Sequence, residues 1–384
     1  MIQTQVTEQV CLKWKGENVK TNSPITGLKD QILQLTGLSG EISDRALDRL
    51  HDSHRYTDNC LCQLRQDNML VQYKRDDLTG HRLAPRGRHY LQKTYPSRFA
   101  DLFTGNGSVN KVRLEPLHRR RYLRSSEILT MMYNLNIPIF ADEKPKLYEP
   151  LADSSQSSQT AYYTSYEVKD RGEESVKIKN ARFNGLLRCP MGDYLVYNTG
   201  ASVIKWETMS EQRASVVVGN LLRSDICHLM IGDTINTALD LLISDGGKNA
   251  LYFTLDDRIP SILFMPNDAH GDFLLRMNCL TNSMQRLKYS VLQKMNLQPC
   301  PNSLDCDGYA DEKTAVLFAC DMDLKRFRNL KIGAETKGIK LLIICFDFQA
   351  ELLHRYYGDL AILKTIDAHK TAELFRLPYR GGAS

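Results

Sequence analysis

The stretch from Ser53 to Tyr95 reads SHRYTDNCLCQLRQDNMLVQYKRDDLTGHRLAPRGRHYLQKTY, and it decides how the N-terminal part of the chain is interpreted. Its first half has helical spacing, because Tyr56, Cys60, Leu61 and Leu64 fall on one face. Its second half has the pattern of a β-hairpin, with strands at 70–74 and 81–84 around a turn at 75–80 that is rich in turn-forming residues. A short helix is expected after the hairpin, at 88–93. A helix followed by a basic hairpin is typical of a winged helix-turn-helix.

Two further helices are predicted before this stretch, at 27–36 and 42–52, and they complete a three-helix module. The chain has 384 residues, which is enough for two or three domains. The predicted divisions are a leader at 1–26, a winged helix-turn-helix at 27–98, a basic helical connection at 99–136 and an α/β domain at 137–384. A subdivision near 295–310 is left open.

The part of the chain from residue 137 onward alternates apolar strands with helices. Continuous apolar runs such as 340–346 are typical of strands that are covered on both faces in a partly parallel sheet. The predicted fold class is therefore α/β, or α+β over the whole chain, with a winged helix-turn-helix in front of a mixed α/β body.

Positive charge is concentrated near the N-terminus, although the net charge of the whole chain is only +5. Between Ser53 and Arg98 there are nine Lys or Arg residues against four Asp, and between Lys111 and Arg124 there are six against Glu115 alone. This asymmetry favours a basic surface that faces double-stranded DNA. The residues predicted to contact DNA are Arg55, Tyr56, Asn59, Gln63 and Arg65 on the helix, Lys74, Arg75, Arg82, Arg86 and Arg88 on and after the hairpin, and Arg119, Arg120 and Arg121 on the following helix.

Composition and cysteine usage favour a soluble protein of a reducing compartment. The ten cysteines include no CxxC pair, and several lie in apolar runs, where a thiol acts as a small apolar side chain. The first fifteen residues are polar and mixed, and no apolar run approaches the length of a membrane span. We therefore expect a cytoplasmic protein without a membrane partner, a structural metal or a cofactor.

One motif points to catalysis. Glu167 and Lys169 form an E-x-K pair that would share one face of a predicted strand at 161–169, with Asp153 or Asp142 as the upstream acid. Two carboxylates that hold Mg²⁺, with a lysine beside the attacking water, are the core of a metal-dependent DNA nuclease. An ion pair on an edge strand is the alternative interpretation of the same residues.

The N-terminal pattern resembles that of the replication-relaxation proteins of bacterial plasmids and integrative conjugative elements. The resemblance is carried by Asn68-Met69-Leu70 and by the run 80–87, in which Leu83-Ala84-Pro85-Arg86-Gly87 is similar to the L-T-x-x-G ending of many winged helices. It covers about residues 28–95. The resemblance implies a role in handling the DNA of a mobile element, and a second domain of restriction-endonuclease-like fold that often lacks a full catalytic set.

The leading hypothesis is a non-catalytic protein that binds double-stranded DNA and assists the replication, transfer or regulation of a mobile element. One alternative is a Mg²⁺-dependent DNA nuclease that uses Glu167, Lys169 and an upstream Asp. Another is a scaffold that assembles replication or transfer proteins. The sequence leaves the oligomeric state open.

Overall fold

The computed structural model describes residues 25–100, 102–103, 115–148, 160–169, 178, 180–299 and 304–381. The described chain contains an N-terminal module of helices around a small sheet, a long central helix, and a body with two larger sheets. The predicted α/β fold class is confirmed.

The N-terminal module, residues 25–99, has its helices and its hairpin in the predicted order, but the predicted helix at 42–52 is wrong in extent, since 42–43 form a strand and only 44–48 are helical. Its elements are α1 (Leu28–Ser39), β1 (Ile42–Ser43), α2 (Asp44–Asp48), α3 (His54–Gln66), β2 (Leu70–Arg75), β3 (Leu78–Leu83), α4 (Pro85–Thr94) and α5 (Pro96–Phe99). The three strands are antiparallel and lie in the order β1-β3-β2. The interpretation of this module as a winged helix-turn-helix stays a prediction.

The hairpin turn is shorter than the six residues that the sequence predicted. Strands β2 and β3 pair as far as Arg75 and Leu78, which leaves Asp76 and Asp77 as a two-residue turn. Both aspartates have left-handed backbone, with φ of 54° and 57°. Two consecutive residues with positive φ characterise the type I′ turn, whose twist matches that of the flanking strands.

The central helix α6 (Pro116–Asn134) connects the N-terminal module to the body. It begins at Pro116, where the missing N–H of proline costs no helical hydrogen bond. On one side Ser126 Oγ accepts a hydrogen bond of 3.1 Å from Ser43 N, and on the other Ser125 Oγ accepts one of 3.0 Å from Asn184 Nδ2. The segment that the sequence predicted as a basic helical connection thus contains a helix, and this helix is bonded to both halves of the chain.

The body contains a five-stranded and a four-stranded sheet. The strands are β4 (Ala161–Thr164), β5 (Gly185–Cys189), β6 (Gly192–Gly200), β7 (Ile226–Gly232), β8 (Ile262–Pro266), β9 (Gly308–Asp311), β10 (Thr314–Phe318), β11 (Lys340–Phe346) and β12 (Ala361–Ile366). The helices are α7 (Ser165–Lys169), α8 (Thr208–Leu222), α9 (Thr237–Ile243), α10 (Ala269–Leu275), α11 (Ser283–Gln293), α12 (Leu324–Lys337), α13 (Ala350–Tyr357) and α14 (Ala368–Phe375).

The first sheet has the order β4-β5-β6-β7-β8, and its strands β6, β7 and β8 are parallel. The second has the order β12-β11-β10-β9, with β10, β11 and β12 parallel. A hydrogen bond of 3.1 Å from Phe264 N to Met322 O links the two sheets, so they form a continuous body. Within the described residues, no helix has the length and apolar character that crossing a membrane requires.

A buried polar cluster lies between helix α8 and strands β6 and β7. The Glu211 carboxylate accepts hydrogen bonds from Tyr197 Oη (2.9 Å) and Arg182 N (2.6 Å), and burial raises its pKa to about 7. His228 contacts the Ser215 hydroxyl at 2.8 Å, and complete burial lowers its pKa to about 3. Because burial disfavours both charged forms, it favours a protonated Glu211 below pH 7 and a neutral His228 throughout the neutral range.

Candidate nucleic-acid interface

Helix α3 presents a polar face to solvent. The Ser53 hydroxyl caps the helix by accepting a hydrogen bond from Tyr56 N, and Cys60, Leu61 and Leu64 are buried against the rest of the module. Tyr56, which the periodicity places on the apolar face, is instead 48% exposed and lies beside the His51 ring. The predicted DNA-contacting residues Arg55, Tyr56, Asn59 and Gln63 lie on the exposed surface of the helix, together with His54, Asp58, Cys62 and Gln66.

Arg55, Asn59 and Gln63 recur at every fourth residue, so they form one stripe along the exposed face of α3. Arg65 lies at the end of the same helix and donates a hydrogen bond of 2.9 Å to Gln72 Oε1 on strand β2. That contact ties the helix to the hairpin and leaves the stripe itself open to solvent.

The tip of the hairpin is not basic, in contrast to the prediction. Lys74 and Arg75 are exposed, but Asp76 and Asp77 form the turn directly beside them, and the Arg75 and Asp76 side chains lie 3.5 Å apart. Arg75 thus pairs with a carboxylate of the turn, and residues 74–77 together carry no net charge.

Arg119 is buried, and the prediction that it contacts DNA is wrong. Its side chain and the Glu41 carboxylate are both 0% exposed and form an ion pair with N···O of 2.5 Å. The same guanidinium donates to the backbone oxygens of Arg75 (2.8 Å), Tyr73 (3.0 Å) and Leu78 (3.2 Å). Arg119 therefore secures the hairpin to helix α6, and its donors are not available to a phosphate.

Arg82 is a second correction. Its Nε and Nη2 donate to the Glu41 carboxylate at 3.0 and 2.8 Å, its guanidinium lies over the Tyr73 ring, and its side chain is 14% exposed. Arg82 and Arg119 thus share the Glu41 carboxylate, which the sequence analysis did not single out. Two cations around one buried carboxylate stabilise the module and do not form an outer surface.

The remaining predicted cations differ in exposure. Burial lowers the pKa of Arg88, and its Nε is buried without a hydrogen-bond partner among the described residues. Arg86 is exposed at the start of α4. Arg120 and Arg121 are exposed because successive helical residues point roughly 100° apart, so that burying Arg119 turns both of them outward. Arg86, Arg120 and Arg121 therefore extend the accessible basic surface.

The residues predicted to form a nuclease centre do not converge. The strand predicted at 161–169 ends at Thr164, and the chain then forms the short helix α7. Residues two apart on a helix point to different sides, so Glu167 and Lys169 do not share a face. Glu167 accepts hydrogen bonds from Thr164 N (2.7 Å) and contacts Lys144 Nζ at 2.8 Å. Lys169 instead donates to Ala181 O at 2.9 Å.

Asp142, the described upstream acid, does not complete the site either. Asp142 pairs with Arg98 at 2.9 Å, and Asp153 lies outside the described residues. Among the residues that the structure describes, no three His, Cys, Asp or Glu side chains are grouped so that they could hold a metal ion. The interpretation of Glu167 as a structural ion-pair partner fits these contacts.

A polar cluster that the sequence analysis missed joins α6 to the carboxyl ends of the parallel strands. Glu127 accepts hydrogen bonds from Asn198 Nδ2 (3.0 Å) and Ser43 Oγ (3.3 Å), and Asn267 Nδ2 lies at 3.5 Å. Burial raises the pKa of Glu127. Asn267 directly follows the apolar strand β8, and a polar residue in that position is the sequence signal that could have indicated the cluster.

Arg45 in helix α2 and Arg49 at the end of this helix attach the N-terminal module to the body, near the carboxyl ends of the parallel strands. Arg45 pairs with Asp233, the residue after β7, and Arg49 pairs with Asp272 of α10 at 2.6 Å. These contacts position the module on the body, so that the stripe on α3 is carried by a fixed support.

Comparisons with known proteins add no relative from which a function could be transferred. No protein-family model, no curated protein and no protein of known structure matches this chain. The function is therefore argued from the exposed stripe of Arg55, Asn59 and Gln63 and from the basic residues around it.

Proposed function

We propose that this protein binds double-stranded DNA through the exposed face of helix α3. The observation that carries the proposal is the solvent-facing stripe of Arg55, Asn59 and Gln63. Arginine pairs with two acceptors of guanine, and asparagine and glutamine pair with adenine, when an exposed helix enters the major groove. A stripe of these three residue types at helical spacing is suited to contact successive base pairs.

Contacts to the DNA backbone are assigned to Lys74, Arg86, Arg120 and Arg121. All four are exposed, and Arg120 and Arg121 directly follow Arg119, which holds the hairpin. Phosphate contacts of this kind fix the orientation of a protein on DNA without reading its sequence. We assign no catalytic step, because Glu167 and Lys169 are bound to different structural partners.

The biological setting follows from the resemblance of the N-terminal pattern to replication-relaxation proteins. It is the replication, transfer or regulation of a mobile element, where other replication or transfer proteins would be partners. The proposal for DNA binding does not depend on this setting.

Removing the stripe is expected to weaken DNA binding. The variant Arg55→Ala/Asn59→Ala/Gln63→Ala should bind a selected duplex at least about tenfold more weakly, because each lost base contact costs about 1–3 kcal/mol. Fluorescence anisotropy with labelled duplex DNA measures the affinity. Arg213→Ala, which removes an exposed arginine of α8 in the body, is the matched control and should leave the affinity unchanged. A triple variant that binds like the control, or a wild-type protein that ignores DNA at about 50 mM salt, would rule out the proposal.

The backbone contacts predict a specific salt dependence. The variant Lys74→Ala/Arg120→Ala should lower the slope of log K against log salt concentration by about two, because each phosphate contact releases about one counterion. The affinity should fall by a similar factor for all DNA sequences. An unchanged slope would show that these two residues do not contact phosphates, even if the stripe on α3 does.

A further inference from the structure

A cleft of about 580 Å³ lies where the N-terminal module meets the body. Its walls come from the end of α2 and the following loop, the segment after strand β8, helix α10 and the C-terminal segment that contains Arg380. The carboxyl ends of parallel strands are the usual binding position in α/β proteins, and clefts between domains are common ligand sites. The volume falls within the range of sites for small molecules.

Most charged groups of the cleft already have partners. Arg49 pairs with Asp272, and Arg380 contacts the Asp52 carboxylate at 2.6 and 2.7 Å. Asp48 contacts His54 at 2.8 Å. Opposite charges therefore compensate each other along most of the lining.

Asp268 is also engaged, because its Oδ1 accepts hydrogen bonds from the backbone N–H groups of His270 (2.9 Å) and Gly271 (3.1 Å). Each acid of the lining thus has a donor among the described residues. The carboxylates of the cleft do not leave an open cation site.

Arg276 differs from these groups because it forms no close ion pair among the described residues, although the Asp272 carboxylate acts on it electrostatically. Its Nε is buried without a hydrogen-bond partner among the described residues, and its Nη2 reaches Asn134 O only at 3.4 Å. Arg276 nevertheless lines the cleft, so the other donors of its guanidinium can form a charge-assisted hydrogen bond to an anion there. Arg380 lies beside the same cleft, and its ion pair with Asp52 is exposed on both sides (77% and 82%), so it is weak enough to open when a ligand binds.

We propose that this cleft binds a small phosphate-bearing anion, with Arg276 as the principal ligand-binding residue and Arg380 as the second. The planar guanidinium matches two oxygens of a phosphate, which a lysine could not do in the same way. Such a ligand would contact the N-terminal module and the body together. The proposal goes beyond DNA binding and does not rest on it.

Isothermal titration calorimetry of the full-length protein with sodium pyrophosphate tests the proposal. We expect saturable binding to the wild type, and a loss of affinity of at least about tenfold in Arg276→Gln. Arg276→Lys keeps the charge but loses the planar fork, and it should bind with intermediate affinity. Arg213→Gln should bind like the wild type. Absence of pyrophosphate binding to the wild type, or equal affinity in Arg276→Gln, would overturn the proposal.

A second variant keeps the test independent of the folding of Arg276→Gln. Arg380→Gln changes an exposed side chain and should weaken pyrophosphate binding about threefold, with an unchanged thermal midpoint in the absence of ligand. If both Arg380→Gln and a folded Arg276→Gln retain wild-type affinity, the site is not where we place it.

Titrations with ATP and adenosine distinguish the sources of the phosphate group. Tighter binding of ATP than of pyrophosphate, with no binding of adenosine, would support a nucleotide as the ligand. Equal binding of ATP and pyrophosphate would support recognition of the phosphates alone. Binding of adenosine as tight as that of ATP would contradict a phosphate site. A loss of duplex DNA affinity in Arg276→Gln, together with no pyrophosphate binding by the wild type, would assign the arginine to DNA and overturn the proposal.

Discussion

Replacing Arg119 by alanine is expected to lower the free energy of unfolding by about 3–5 kcal/mol, the usual effect of removing one partner of a buried ion pair. The Glu41 carboxylate is 0% exposed and would keep only Arg82 as its cation. Three backbone oxygens of the hairpin, at Tyr73, Arg75 and Leu78, would lose the hydrogen bonds that Arg119 donates to them. The hairpin would thereby lose its attachment to helix α6.

Urea unfolding at neutral pH, followed by circular dichroism, measures the effect of Arg119→Ala. Arg120→Ala is the matched control, because it removes an exposed arginine from the next position of the same helix and should change stability by less than about 0.5 kcal/mol. The double variant Glu41→Ala/Arg119→Ala should lose less than the sum of its single variants, because each single variant already removes the ion pair between Glu41 and Arg119. Equal stability of Arg119→Ala and Arg120→Ala would contradict the structural role of the pair.

Glu211→Gln is expected to make the protein more sensitive to acid. Between pH 7 and pH 5 its free energy of unfolding should change less favourably than that of the wild type, by about 2 kcal/mol. The pKa of Glu211 rises from 4.5 to about 7 on folding, so its contribution to stability is complete below pH 4.5 and is lost as the pH rises through 7. The pKa of His228 falls from 6.5 to about 3, so its contribution is complete above pH 6.5 and is lost as the pH falls. The two effects oppose each other in this window.

The glutamine variant removes the pH-dependent contribution of Glu211 to the free energy of unfolding and leaves the contribution of His228. Glutamine still offers an acceptor to Arg182 N, and Tyr197 can turn its hydroxyl to accept from the new amide. Urea unfolding at pH 5, 6 and 7 gives the profile. His228→Asn should change the profile in the opposite direction, toward greater stability at pH 5 relative to pH 7. Profiles parallel to that of the wild type would show that neither group carries this linkage.

The elements of the N-terminal module were predictable because their signals are local. The spacing of Cys60, Leu61 and Leu64 indicated helix α3, and a cluster of turn-forming residues between two apolar segments indicated the hairpin. The turn itself was predicted too long, because Asp76 and Asp77 alone satisfy the type I′ geometry.

The roles of individual arginines were not predictable from local sequence. Glu41 and Arg119 are 78 positions apart, and no local pattern distinguishes Arg119 from its neighbours Arg120 and Arg121. The partner becomes apparent only when helix α6 packs on the hairpin. Of the three consecutive arginines, Arg119 is therefore buried, whereas Arg120 and Arg121 are exposed.

The error at Glu167 has a different origin, because a local signal was present. Thr164 and Glu167 exchange the reciprocal hydrogen bonds of a capping box, with Glu167 accepting from Thr164 N and Thr164 Oγ1 accepting from Glu167 N. The spacing T-x-x-E predicts the start of a helix at this point, which places Glu167 and Lys169 on different sides. The alternation expected of a strand obscured that signal.

Helix α6 has a consequence for how the gene for this protein can be divided. A fragment that ends before residue 115 lacks Arg119 and Ser126 and would keep Glu41 buried with only one of its cations. A fragment that begins at residue 137 would leave the amide of Asn198 without its acceptors on α6. Neither fragment is therefore expected to be an independent folding unit. Recombination that exchanges the N-terminal module between chains has to carry α6 along with residues that fit it on both sides.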